Sequence, residues 1–249
     1  QYITKTAINN LFKGDIDELR MWNRVLAPTE IQFIMNQEIL QNSTGTIGTI
    51  IPSTITKNDI SGLLWNNLFA YYSMNSYIGT HLDDDSVNVN RGSLVIPDKV
   101  SINIQTAPMP YLSASSGLWQ TPASWSNGSN QDVPYSLSII NNTTPIDWNI
   151  VKTNHNITSN GNKTVLGLFV DSNKLTATSV AGTQTDGTKI EVSHYLKLNG
   201  IIDLVGRSQL VQKLGSDLDP ASGGFIERDQ QGQGNRYNYN YWGSPVGTI

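Results

Sequence analysis

Apolar and polar positions alternate from Ile16 to Trp22: Asp17, Leu19 and Met21 fall on one side, and Ile16, Glu18, Arg20 and Trp22 on the other. A period of two predicts a strand. Gly14 before it suits a tight turn. Beyond Asn23 the period changes. Pro28 stands at a first helical position and Glu30 in the first turn, and Ile31, Ile34, Met35 and the pair Glu38-Ile39 continue an apolar stripe at helical spacing. The opening unit reads strand, turn, short helix. Leu19, Met21, Ile31 and Ile34 need a partner, because one strand and one helix cannot bury their apolar faces alone.

Residues 41–56 are rich in Ser, Thr and Gly and read as a linker or edge segment, with a strand at Ile47–Ile51. Leu63–Met74 is the densest apolar and aromatic run. Trp65, Leu68, Phe69 and Tyr72 fit a helix, while Phe69–Tyr72 also fits a buried strand, and periodicity leaves both open. After Leu118 the texture becomes one of short strands: Trp148–Val151, Val165–Val170, Lys174–Thr178, Lys189–Val192, Tyr195–Leu198, Ile201–Leu204 and Gln209–Gln212. Leu166–Leu168 and Ile190–Val192 lie about 24 residues apart, and Leu175 lies about 21 to 23 from Leu196–Leu198. Such a period suits one turn of a parallel β-helix, in which stacked coils satisfy each other's backbone groups and cover an apolar interior. The fold expected is all-β, with a parallel β-helix or solenoid in the second half. An antiparallel β-sandwich is the alternative from the same strands.

Composition narrows the function. Charged residues are 14% of the chain, against about 25% in ordinary domains. The 26 Asn residues, with Ser, Thr and Gly, suit turns and outer sheet faces. The net charge of -4 and the lack of a basic block argue against nucleic acid. No apolar run is long enough to cross a membrane as a helix. Gln1-Tyr2-Ile3-Thr4 shows no apolar leader. Cysteine is absent, which removes disulfides and thiolate chemistry.

The stretch FKGDIDELRMWNRVLAPTEI, Phe12 to Ile31, resembles the closing signature of laminin-G-like, concanavalin-A-like jelly-roll domains. The matching residues are Phe12, Gly14, Ile16, Asp17, Glu18, Leu19, Arg20, Met21, Trp22, Asn23, Arg24, Leu26, Glu30 and Ile31. The resemblance implies that the chain opens with the last strand and helix of such a domain and is a piece of a longer polypeptide. Asp85, Ser86, Asn88, Asn90, Gly92 and Leu94 loosely match the opening of another such domain. LWQTPASWSNG, from Leu118, resembles the lead-in to runs of parallel coils in Bacteroidetes surface proteins. The segments Thr144–Thr158 and Tyr195–Gly247 resemble ones recurring in large secreted proteins of Flavobacteria, carried by Asp203-Leu204, Ser208–Gln212, Glu227–Gly232, Asn235, Tyr239–Trp242 and Ser244–Val246.

Candidate chemistry is sparse. Asp83, Asp84 and Asp85 cluster in one loop, and Asp217 and Asp219 in another; hard oxygen ligands of this kind could hold calcium. Apart from calcium no cofactor is expected. Asp85-Ser86-Val87 resembles the O-glycan acceptor pattern of secreted Bacteroidetes proteins, with Ser86 as acceptor. Tyr237, Tyr239 and Tyr241 alternate onto one face; exposed, they form a sugar-stacking platform, and buried, a cap or contact. His81, His155 and His194 lie far apart without catalytic context, and Glu227-Arg228-Asp229 reads as an ion-pair network.

The expected organisation is the laminin-G-like end over 1–41, a linker and irregular β segment over 42–117, and the solenoid over 118–249. The function this implies is a non-enzymatic structural and adhesion module of a giant surface protein. The resemblance implies export by a type IX secretion system and an extracellular or outer-surface location. Expected partners are neighbouring domains of the same polypeptide, the secretion machinery and surface glycans, without membrane insertion. The alternative is a carbohydrate-binding module of a secreted glycan-degrading enzyme.

Overall fold

The computed structural model describes residues 14–53, 62–94, 110–126, 133–179 and 185–230, together with 232, 234, 235, 237 and 239. The chain is all-β; the described residues add one short α-helix and two 3-10 turns. Strand β1 (Leu19–Trp22) leads to α1 (Pro28–Ile34), then to a hairpin of β2 (Ile39–Asn42) and β3 (Gly45–Gly48). β4 (Leu68–Tyr72) returns antiparallel beside β1. A small pair, β5 (His81–Leu82) and β6 (Gly92–Ser93), closes this part.

The rest is a coiled stack. Its strands are β7 (Tyr111–Leu112), β8 (Gly117–Leu118), β9 (Ile150–Thr153), β10 (Ile157–Ser159), β11 (Lys163–Val170), β12 (Lys174–Ala177), β13 (Lys189–Leu198), β14 (Ile201–Leu204), β15 (Gln209–Gln212), β16 (Asp217–Leu218) and β17 (Phe225–Arg228). One sheet runs β8, β10, β12, β14, β17. The other runs β7, β9, β11, β13, β15, with β16 also on β13. Every pair in both is parallel. The antiparallel sandwich is therefore not what this half adopts. Successive strands of one sheet are separated in sequence by strands of the other, so each circuit of the chain adds one rung to both.

The expected strands are nearly all present, but the rungs pair differently from the spacing read in sequence. Leu166–Leu168 does not pair with Ile190–Val192. Leu168 faces Leu196, and Ile190 faces Lys163. The rung from β11 to β13 is longer than the apolar spacing suggests, 27 residues up to Val165 and 28 from Gly167, where the register shifts by one. On its other side the start of β13 runs with β15 and its end with β16. Rungs also differ in length. Ile157, Leu175, Ile202 and Ile226 stack in one column at steps of 18, 27 and 24 residues.

Every second side chain points inward, and the interior is filled by Val151, Ile157, Val165, Leu168, Leu175, Ile190, Val192 and Ile202, all fully buried. Burying each such side chain contributes about 1.5–3 kcal/mol. Trp119 and Trp125 fill the first coil, their rings 5.2 Å apart and edge to face. Each indole N–H has a carbonyl, Pro134 O at 2.8 Å and Trp119 O at 2.7 Å. At the corner after β13, Gly200 lies against Asn173 O and Gly224 against Gly200 O, where a Cβ would stand 2.5 and 2.2 Å from those oxygens. Only glycine fits so close a turn-on-turn approach.

The opening unit has the predicted order, but α1 is shorter than the stripe suggests: Ile39 begins β2 rather than extending the helix. Side chains take the carbonyls at the helix end. Arg20 Nη1 donates to Ile34 O at 2.6 Å, Arg20 Nη2 to Gln37 O at 2.7 Å, and Gln37 Nε2 to Phe33 O at 2.9 Å. The apolar partner expected for this unit is the stack itself. Phe33, Ile34, Ile39, Ile51, Leu63, Trp65, Leu68 and Tyr71 form one core with Ile150, Leu166, Phe169 and Tyr195 on the outside of the larger sheet. Of the four residues expected to need cover, Ile34 is buried, whereas Leu19, Met21 and Ile31 stay exposed. The strand buries its other side, with Arg20 and Trp22. Leu63–Met74 resolves as a 3-10 turn (Trp65–Asn67) followed by β4.

Candidate functional surfaces

With its interior filled, the stack offers chemistry on its outer faces. Alternation along β12, β14 and β17 turns Thr176, Asp203 and Glu227 outward in one column and Lys174, Ile201 and Phe225 in the next. Asp203 and Glu227 are neighbours on successive rungs, where like charges repel. Lys174 offsets this: its Nζ is 2.6 Å from Glu227 Oε2 and 3.6 Å from Asp203 Oδ2. Its hydrogen bond to Glu227, with the charge of Asp203, holds the ammonium pKa above the usual lysine value.

Two similar ladders occupy the other sheet. Glu191 lies between Lys189 at 2.5 Å and Lys213 at 2.9 Å, and their hydrogen bonds lower its pKa. Tyr195 Oη donates to Asp219 Oδ2 at 2.6 Å, and Lys197 Nζ is 3.4 Å from the same oxygen. The tyrosine hydrogen bond and the Ala221 N–H hold Asp219 below the ordinary aspartate range; burial and Asp219 push Tyr195 up. Asp219 thus stabilises the corner of the last coil. Asp217, half-buried in β16, also has an interaction partner.

The first acidic loop has an internal use. Asp84 is buried, and its Oδ1 accepts the N–H groups of Tyr71 at 2.8 Å and Ser86 at 2.9 Å. Its Oδ2 accepts Asn90 N–H at 2.6 Å and the Ser86 hydroxyl at 2.9 Å. Burial alone would raise its pKa, but the three backbone N–H groups and the hydroxyl outweigh it and hold the carboxyl low. Asp83 pairs with Arg91 at 3.5 Å. Asp85 is exposed, and its own N–H donates to Tyr71 O at 2.8 Å. Among the described residues no three His, Cys, Asp or Glu side chains gather as a metal site. The Ser86 hydroxyl points inward, only 6% of the residue being exposed, and it also reaches Phe69 O at 3.3 Å.

Tyr237 and Tyr239 are 82% and 87% exposed. Tyr241 lies outside the described residues. His155 Nδ1 is 3.0 Å from Ser113 Oγ, but that hydroxyl donates its one proton to Asn154 Oδ1 at 2.7 Å. The imidazole must therefore be the donor, which leaves the serine unactivated.

The feature that sequence reasoning passed over is a buried ionic knot under β1. Glu18 and Arg20 pair with side chains 8% exposed, and Tyr71 Oη donates to both Glu18 oxygens at 2.9 Å. Burial raises the Glu18 pKa against the lowering effect of Arg20; burial and Glu18 raise that of Tyr71. The signal lay in the alternation, which put Glu18 and Arg20 on the same side as Trp22. No family model matches the chain, and no curated protein or solved structure matches it.

Proposed function

We propose that the chain is a non-enzymatic structural and adhesion module of a large extracellular protein, its coiled stack a parallel β-helix that serves as spacer and surface. The observation carrying this reading is the state of the carboxylates on the stack. Asp203, Glu191 and Asp219 are each tied to a lysine on the same or an adjacent rung, and Glu227 to Lys174 two rungs away. Each bond ties side chains along the stack, and the carboxylates are taken up in holding the coils in line. The jelly-roll-like opening unit, docked on one face, is then the joint to a preceding domain, and type IX export to the cell surface follows from the sequence resemblance. The test is surface labelling of intact cells that produce the parent protein, with and without a working type IX machinery. Labelling that survives loss of the machinery overturns the export reading, and hydrolysis of a glycan by the purified chain overturns the non-enzymatic one.

The second reading, a carbohydrate-binding module, rests on the exposed rings of Tyr237, Tyr239 and Phe225, the last 56% exposed beside Glu227. A glycan array on the purified chain separates the two. Specific binding lost in Tyr237→Ala with Tyr239→Ala favours this second reading.

A further inference from the structure

The stack is finished differently at its two ends. At the first coil the edge of β7 is covered. Ser113 and Trp125 form an antiparallel bridge, Ser126 N–H donates to Leu112 O and Ala114 N–H to Ser124 O, both at 2.8 Å. At the last coil β15 and β16 pair back onto β13, and β17 onto β14. Among the described residues no strand lies on their far side.

The inward columns show how this open edge is treated. Three stay apolar to the end: Ile190 to Leu210, Leu168 through Leu196 to Leu218, and Leu175 through Ile202 to Ile226. Two change character at the last rung. Val165 and Val192 are followed by Gln212. Ser159, Ala177 and Leu204 are followed by Arg228. Both polar side chains are exposed and held to the end of the stack: Gln212 Nε2 lies 3.2 Å from Ser216 Oγ and Arg228 Nη1 is 3.4 Å from Ser208 O. An open strand edge over an apolar interior is a template for another chain, and an inward-pointing charge is one way to blunt it.

We propose that Gln212 and Arg228 close this end of the stack against edge-to-edge pairing with a second copy of the chain. The β7 edge of the first coil is already covered, so the contact at issue is tail to tail, two-fold and self-complementary. Leu210, Leu218 and Ile226 of two copies would then share one interior. Two Arg228 side chains would enter it as well, and a buried like-charged pair is strongly unfavourable.

The test compares the wild-type chain, R228K and the double variant Q212V/R228L by sedimentation equilibrium, with hydrogen exchange on the same samples. The wild type and R228K are expected at the monomer mass of 27.4 kDa. The double variant is expected at twice that mass, with amide exchange in Gln209–Gln212 and Phe225–Arg228 slowed roughly tenfold or more. A double variant that keeps its native circular dichroism and stays monomeric overturns the proposal. So does a wild type that already dimerises with those strands protected. Should the double variant not fold, R228L alone decides in the same way, since that side chain is exposed in the monomer.

Discussion

Replacing Asp84 by Asn tests whether the acidic loop is an internal brace. Asparagine keeps the shape and one acceptor oxygen. Its NH2 group must then face either the Tyr71 and Ser86 N–H groups or the Asn90 N–H and the Ser86 hydroxyl. Two hydrogen bonds to a charged acceptor are lost in either orientation, each contributing about 1.5–3 kcal/mol. Partial rotation of the serine hydroxyl recovers some of this, so a net loss of about 3 kcal/mol is expected. Urea unfolding followed by tryptophan fluorescence should show a lower midpoint at unchanged slope. The effect must also depend on pH. The folded carboxyl is held below its ordinary value of 3.8. It therefore binds fewer protons when folded, and its contribution is complete above an unfolded pKa of about 3.9 and lost as pH falls through the folded value. The gap between wild type and Asp84→Asn should close on acidification below pH of about 4. A difference under about 0.5 kcal/mol at neutral pH, or one that persists unchanged into acid, would refute the brace.

Arg20→Met should cost about 3–5 kcal/mol in the same assay, because Glu18 is left buried without its partner and two helix-end carbonyls lose theirs; adding Glu18→Gln should recover part of the loss. Trp119→Ala should lose about 3–5 kcal/mol, read as a fall in melting temperature, since the ring is fully buried at the closed end of the stack. Leu166→Asp puts a carboxylate between the stack and the opening unit; limited proteolysis should then cut within residues 23–53 while Lys189–Leu204 stays protected, whereas Thr176→Lys, opposite Asp203 on the outward column of the smaller sheet, should change neither. A chelator that lowers the melting temperature of the wild type would support calcium at Asp83, Asp85 or Asp217, and an unchanged value would remove it.

Strand positions in the stack were legible because its apolar residues recur with period two between Asn-rich turns. Ile201–Leu204 and Gln209–Gln212 fall where the pattern puts them. Pairing was not legible, because rung length varies and the rung from β11 to β13 takes 27 to 28 residues where the apolar spacing shows about 24. The shortened helix was hidden for another reason. Its end carbonyls are taken by Arg20 reaching over from β1 and by Gln37 one turn on, and the apolar spacing through Ile39 carries no trace of either. The acidic loops read as ligand clusters because sequence shows carboxylates in a row. It does not show that Asp84 already serves four donors or that Asp219 serves Tyr195.

One distinction in the sequence does map onto the architecture. Lys174–Ala177 and Ile201–Leu204 alternate buried with half-buried positions, as strands covered on one side must. Val165–Val170 is buried without interruption, which requires cover on both sides. The interior of the stack supplies one cover and the opening unit the other, through Phe33, Ile51 and Tyr71. Gly167 belongs to the same design: a Cβ there would stand 2.8 Å from Ile51 Cδ1, so its absence lets the segment after the hairpin seat against the sheet. The smaller sheet has no such run and keeps its ion-pair ladder in solvent. Continuous against alternating hydrophobicity in neighbouring strands therefore tells a face covered on both sides from one covered on one, and among the described residues the side without a second cover is that of β12, β14 and β17.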